Sequence, residues 1–147
     1  MILISHRGNL NGVSSRENRP GYIRDALVQD FDVEIDVWYV DGNFWLGHDI
    51  PQYKTEESFL ENPRLWCHAK NIDALYNMSE NNYIHYFWHQ EDDVTLTSEG
   101  YLWTYPSKQL TQNSICVLPE FGDDKSKIIL PKNIAGVCSD FIKKYRV

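Results

Sequence analysis

The 147-residue sequence contains no apolar run that approaches the roughly 18 residues needed to span a bilayer. Its start, Met1-Ile2-Leu3-Ile4-Ser5-His6, lacks the basic flank and the apolar stretch of about 7–15 residues that a secretory signal requires. A cytoplasmic location is therefore expected. Positive charge is also scarce, with 14 Lys plus Arg against 21 Asp plus Glu and a formal net charge of −7. Phosphate backbones and anionic membrane surfaces are both held by surplus Lys and Arg. The deficit argues against a nucleic-acid partner, and no membrane insertion is expected. Cysteine is sparse: Cys67, Cys116 and Cys138 are odd in number, far apart and set among apolar neighbours. Buried, reduced thiols are expected in preference to a disulfide or a metal site. Repeats, low-complexity tracts and linkers are missing too, which predicts one domain over residues 1–147.

What is present is an ordinary globular balance, 42% apolar and 24% charged, with a surplus of aromatic residues: 5 Trp, 9 Tyr and 6 Phe. Such side chains bury large areas or line pockets. Runs rich in Val, Ile, Trp, Tyr and Phe, bounded by turn formers, predict strands at Ile2–Ser5, Asp32–Trp38, Asn43–Leu46, Leu65–Ala69, Tyr83–Trp88, Tyr101–Thr104, Ile115–Leu118 and Ala135–Cys138. Asp41-Gly42 is a two-residue hairpin signal between two of them. Helices are predicted at Pro20–Asp30, Thr55–Glu61 and Asn71–Ser79, the last with Ile72, Leu75 and Tyr76 as its apolar side. Strands alternating with helices in the first half predict an α/β fold with parallel strands. A complete eight-fold barrel needs about 200–250 residues. The expectation is thus a reduced TIM-like β/α barrel with an incomplete outer helix layer.

Chemistry concentrates in Asp32-Val33-Glu34-Ile35-Asp36-Val37. Side chains alternate along a strand, so Glu34 and Asp36 share one face while the valines and Ile35 share the other. Two carboxylates in an apolar strand are costly to bury unless something neutralises them. An edge strand with one wet face is one reading; a divalent cation held by the pair is the other. Polar residues also recur at the C-terminal ends of the other runs: His6 and Arg7, His48 and Asp49, His68 and Lys70, His89, Glu120, and Asp140. In parallel α/β architectures, active sites lie at those ends. Each histidine also has a plainer reading, as a surface-turn residue (His6, His48) or a satisfied core residue (His68). His85 and His89 have the spacing of a helical zinc pair, but they sit in a strand-like run.

His6-Arg7-Gly8, Glu34-x-Asp36 and His48-Asp49, in this order and spacing, resemble the glycerophosphodiester phosphodiesterase family. Glu17-Asn18 is similar to the family's Glu-Asn step, and Asp41-Gly42 to its turn. The specific match covers the first 49 residues; beyond them, Leu65–Lys70 and Ala135–Asp140 match as strand ends. The resemblance implies that His6 and His48 are general acid and base. It further implies that Glu34 and Asp36 hold a divalent cation, Mg²⁺ or Ca²⁺, and that Arg7 and Lys70 contact phosphate. The family's third metal-binding carboxylate aligns with His68, so Glu120 is expected to supply the missing oxygen, while His68 and His89 are left as pocket residues. The family's insertion after the second histidine shrinks here to Ile50–Pro63, removing the part that shapes recognition of glycerol.

The expected function is metal-dependent hydrolysis of a small phosphodiester by two-histidine acid/base catalysis. The alternative is a non-catalytic phosphate-ester-binding domain that retains the pocket. The outward apolar face of Val33, Ile35 and Val37 needs a cover where helices are missing, which predicts a homodimer.

Overall fold

The computed structural model describes residues 1–122 and 130–146. Ten strands form one mixed sheet: β1 (Ile2–His6), β2 (Asp32–Val40), β3 (Asn43–Leu46), β4 (Tyr53–Thr55), β5 (Leu65–Ala69), β6 (Tyr86–Phe87), β7 (Val94–Leu96), β8 (Leu102–Thr104), β9 (Ser114–Val117) and β10 (Gly136–Ser139). Its parallel part runs β6-β5-β2-β1-β10-β9-β8, while β3, β4 and β7 are added antiparallel. Helices α1 (Pro20–Val28), α2 (Glu57–Leu60) and α3 (Ile72–Ser79) are short, and after them the described residues add only 3₁₀ turns at Pro119–Phe121 and Ile142–Tyr145.

This corrects the barrel expectation. The sheet is curled into an open half-barrel dominated by strands, not a TIM-like barrel inside a helix layer. The physical reason lies in β9, which alternates Ile115 and Val117 on the inner side with Ser114 and Cys116 on the outer side. That outer face offers little apolar area for a helix to cover. On the other half, Val33, Ile35 and Val37 are fully buried with Ile23 and Ala26 of α1 and Ala74 and Met78 of α3. They are covered within one chain, so this face needs no second copy. Inside the curl, Ile4, Trp66, Phe87, Trp103 and Ile115 form a second apolar cluster, with the Phe87 and Trp103 rings 4.6 Å apart.

Local signals explain the elements. Asp41 and Gly42 both take positive φ (50° and 76°), the requirement of a tight hairpin turn, and β2 and β3 pair antiparallel across them. Pro20 opens α1. Asn71 caps α3 by accepting from the Ala74 N–H (3.0 Å) and also bonds both backbone groups of Tyr39, fixing the helix to β2. The buried stripe of α3 is Ala74 and Met78, whereas Ile72 and Tyr76 are 65% and 63% exposed, contrary to the expected apolar side. The strand expected at Tyr83–Trp88 contracts to Tyr86–Phe87, and Thr55 belongs to β4 instead of α2. Strands β4 and β7 were not signalled, being three residues each with no sustained alternation. All three cysteines are buried and free. Among the described residues, no helix is long and apolar enough to cross a membrane.

Candidate metal centre

Register sets the site. The parallel pairing aligns His6 with Glu34 and Asp36 with His68, so the carboxyl ends of β1, β2 and β5 bring these side chains to one end of the inner face. His6, Glu34 and His68 line a cavity of about 280 Å³ together with Arg7, His48, Lys70, His89, Trp103 and Tyr105, and Asp36 lies buried beside it against His68 and Lys70. The alternation that buries Val33, Ile35 and Val37 outside forces Glu34 (2% exposed) and Asp36 (0%) inward.

Asp36 is the most heavily braced group. Its Oδ2 accepts from Asn18 Nδ2 (2.8 Å) and lies 2.9 Å from Arg7 Nε. Its N–H donates back to Asn18 Oδ1 (2.9 Å). Its Oδ1 faces His68 Nδ1 at 3.3 Å and Lys70 Nζ at 3.8 Å. Burial pushes the Asp36 carboxyl upward, but His68, Arg7 and Lys70 hold it well below the usual carboxylate range. Arg7 and Asn18, the residues on its Oδ2 side, both carry left-handed backbone (φ 55° and 60°), as does the cavity residue Leu118 (φ 43°). Non-glycine residues held there cost of order 1–3 kcal/mol each and concentrate at functional sites.

His6 is aimed by Asp140. A carboxylate only accepts, so His6 Nδ1–H donates to Asp140 Oδ1 (2.7 Å), and Nε2 faces Glu34 Oε2 at 3.8 Å. Burial opposes charge on His6, yet Asp140 and Glu34 outweigh it and raise its pKa above the ordinary value. Asn9 completes the brace by donating to Asp140 Oδ1 (2.8 Å) and Glu17 Oε1 (2.6 Å). His48 approaches from the β3–β4 loop. Gly47 before it has φ 153°, and a Cβ there would run into the Ile50 carbonyl oxygen. His48 Nδ1 donates to Asp49 Oδ1 (2.7 Å), which makes Nε2 the ring's proton-accepting nitrogen, and the residue lines the cavity. Two backbone bonds tie both loops to β2: Arg7 N–H to the Glu34 carbonyl (2.9 Å) and Gly47 N–H to the Asp36 carbonyl (3.1 Å).

Glu34, Asp36 and His68 each offer a ligand atom, all within 4.8 Å of one another. Glu34 Oε2 and Asp36 Oδ1 are buried and form no hydrogen bond; His6 stands 3.8 Å from the first, and His68 and Lys70 stand 3.3 and 3.8 Å from the second, so both oxygens keep lone pairs that a cation could take. The donor set therefore fits a divalent ion. Burial opposes charge on His68, and Asp36 and Glu34 overcome it, raising its pKa to about 9.

The third group within reach of Glu34 and Asp36 is His68; Glu120, expected in that place, lies outside the cluster. Its carboxylate accepts from Ser139 Oγ (3.0 Å) and the Asp140 N–H (2.8 Å), which fixes the turn carrying Asp140. Arg7 and Lys70 reach the cavity but spend charge on Asp36, and Arg7 also on Glu17 (3.3 Å). His89 lines the cavity while its Nε2 donates to the Asp92 carbonyl (2.6 Å), and His85 pairs with Thr97 (2.8 Å), so these two do not act as a zinc pair. Sequence reasoning missed the opposite wall. Trp103 and Tyr105, two apart along one strand direction, share the inner face, and that spacing was the available signal. Tyr105 donates its hydroxyl to the Gln90 carbonyl and packs on His89.

No family model, curated protein or solved structure matches the chain.

Proposed function

We propose that the chain is a divalent-cation-dependent phosphodiester hydrolase, similar in chemistry to the glycerophosphodiester phosphodiesterases. The observation that carries this reading is the buried Glu34–Asp36–His68 cluster, of which Glu34 and His68 line the same cavity as His6 and His48. Glu34, Asp36 and His68 would hold the ion, which supplies positive charge to the phosphoryl oxygens as attack on phosphorus builds negative charge there. Lys70 and Arg7 add positive potential and keep Asp36 ionised.

His6, whose pKa Asp140 and Glu34 raise against the opposing effect of burial, gives its proton to the leaving alkoxide. His48 removes the proton of the attacking hydroxyl through Nε2, the nitrogen left basic when Nδ1–H donates to Asp49. The substrate is a small phosphodiester: a cavity of about 280 Å³ in an acidic protein suits one anionic ester better than a polyanion. The three free, buried thiols support a reducing, cytoplasmic setting.

His6→Ala and His48→Ala should each lower hydrolysis of an aryl phosphodiester by about 100-fold or more, and chelation should abolish it. Unchanged turnover in either folded variant removes the acid/base assignment. A second reading, phosphate-ester binding without turnover, is favoured by one contrast. His6 is braced by a buried Asp140, whereas His48 is 44% exposed and braced by an Asp49 that is 89% exposed. Calorimetric binding of phosphate esters by the cation-loaded protein, with no product formed, selects that reading.

A further inference from the structure

We infer that His68 makes this a nitrogen-bearing site selective for a borderline transition cation of the Fe²⁺ to Zn²⁺ range, in preference to Mg²⁺ or Ca²⁺. The inference rests on the cation site of the proposed function and adds what that site prefers. His68 Nε2–H donates to the His89 carbonyl at 2.7 Å. A carbonyl only accepts, so the proton on Nε2 is assigned and Nδ1 is the atom turned toward Asp36 Oδ1 (3.3 Å) and Glu34 Oε1 (3.7 Å). The ring lies parallel to Phe87, 8° off with centroids 5.0 Å apart, a stacking contact that favours this ring plane.

A ring N–H committed to a backbone carbonyl, with the other nitrogen pointing at carboxylates, is the arrangement by which proteins orient a metal-ligating histidine. Neighbouring donors with bonds of about 2.1 Å to one ion stand roughly 3.0–3.5 Å apart, near the spacing of Nδ1 and Asp36 Oδ1. The other Asp36 oxygen is already taken by Asn18 and Arg7, which leaves Oδ1 for this corner. Ligand chemistry then decides the ion. Carboxylates alone suit Mg²⁺ and Ca²⁺, whereas imidazole nitrogen suits Fe, Ni and Zn.

The test uses the full chain, stripped by chelator dialysis, with the chloride salts of Zn²⁺, Co²⁺, Mg²⁺ and Ca²⁺ as probes. Calorimetry should show one site whose Zn²⁺-to-Mg²⁺ affinity ratio falls at least about 10-fold in His68→Glu, a variant that restores an all-oxygen set. With Co²⁺ bound, the proton NMR spectrum should show one far-shifted exchangeable imidazole N–H that vanishes in D₂O. That measurement on the unaltered protein decides the matter even where His68→Glu fails to fold. A single bound ion lacking this resonance, or an unchanged affinity ratio in His68→Glu, overturns the inference and leaves the cation reading standing. Failure of every cation to bind overturns both.

Discussion

The two walls of the cavity come from opposite halves of the sheet and differ in kind. On one side, β1, β2, β5 and the loops that follow β1, β3 and β5 supply His6, Arg7, Glu34, His48, His68 and Lys70; on the other, β8, β9 and the residues just after them supply Trp103, Tyr105, Val117 and Leu118. The outer surfaces differ in parallel. Behind the charged wall, Val33, Ile35 and Val37 are packed under α1 and α3, whereas behind the aromatic wall β9 carries the small Ser114 and Cys116, both buried. Buried charge needs a rigid support, because braces such as Asn18 on Asp36 work only at fixed distance. Among the described residues, α1 and α3 pack behind the polar network, and neither joins the apolar cluster of the other wall.

The sharpest break of this contrast is Ile35→Ala. Fully buried between β2 and the helices, it should cost about 2–5 kcal/mol in urea unfolding. A loss below about 1 kcal/mol would mean that the helices do not pack firmly on the charged half.

The next effect is pH dependence, which should reside in the charged wall. Burial disfavours the His68 cation, but Asp36 and Glu34 prevail and raise its pKa to about 9, against 6.5 for an unperturbed histidine. A group whose folded pKa is raised contributes stability that is complete below the unfolded value and disappears as pH climbs through the folded one. In chelator, the melting temperature should therefore fall by several degrees between about pH 6.5 and 9, and His68→Asn should flatten that slope. Parallel curves for the two proteins would refute it.

The smallest effect is Cys116→Ala. Buried on the outer side of β9 but part of neither apolar cluster, it should cost about 1 kcal/mol or less by the same unfolding measurement. A penalty matching that of Ile35→Ala would erase the distinction between the halves.

How much of this was legible in the sequence varied along the same divide. Alternation in Asp32–Val37, the turn at Asp41-Gly42 and the cap at Asn71 are local signals, and the structure follows them. The polar residues at strand ends could be read together because parallel strands present their carboxyl ends on one side. The barrel expectation failed because strands imply helices only when both faces are apolar, and Ser114 and Cys116 carry no such demand. Glu120 was misplaced for a different reason. Its partners, Ser139 and the Asp140 N–H, are reached through β9–β10 pairing, which spacing along the chain does not reveal.

The two backbone bonds from Arg7 and Gly47 to β2 give the imidazoles a common yardstick. The backbone that carries each ring is thereby set from β2, while Asp140 and Asp49 aim the rings themselves. A single residue inserted or deleted between Glu34 and Asp36 would swap the faces of everything beyond it and carry the second ring out of step with the first.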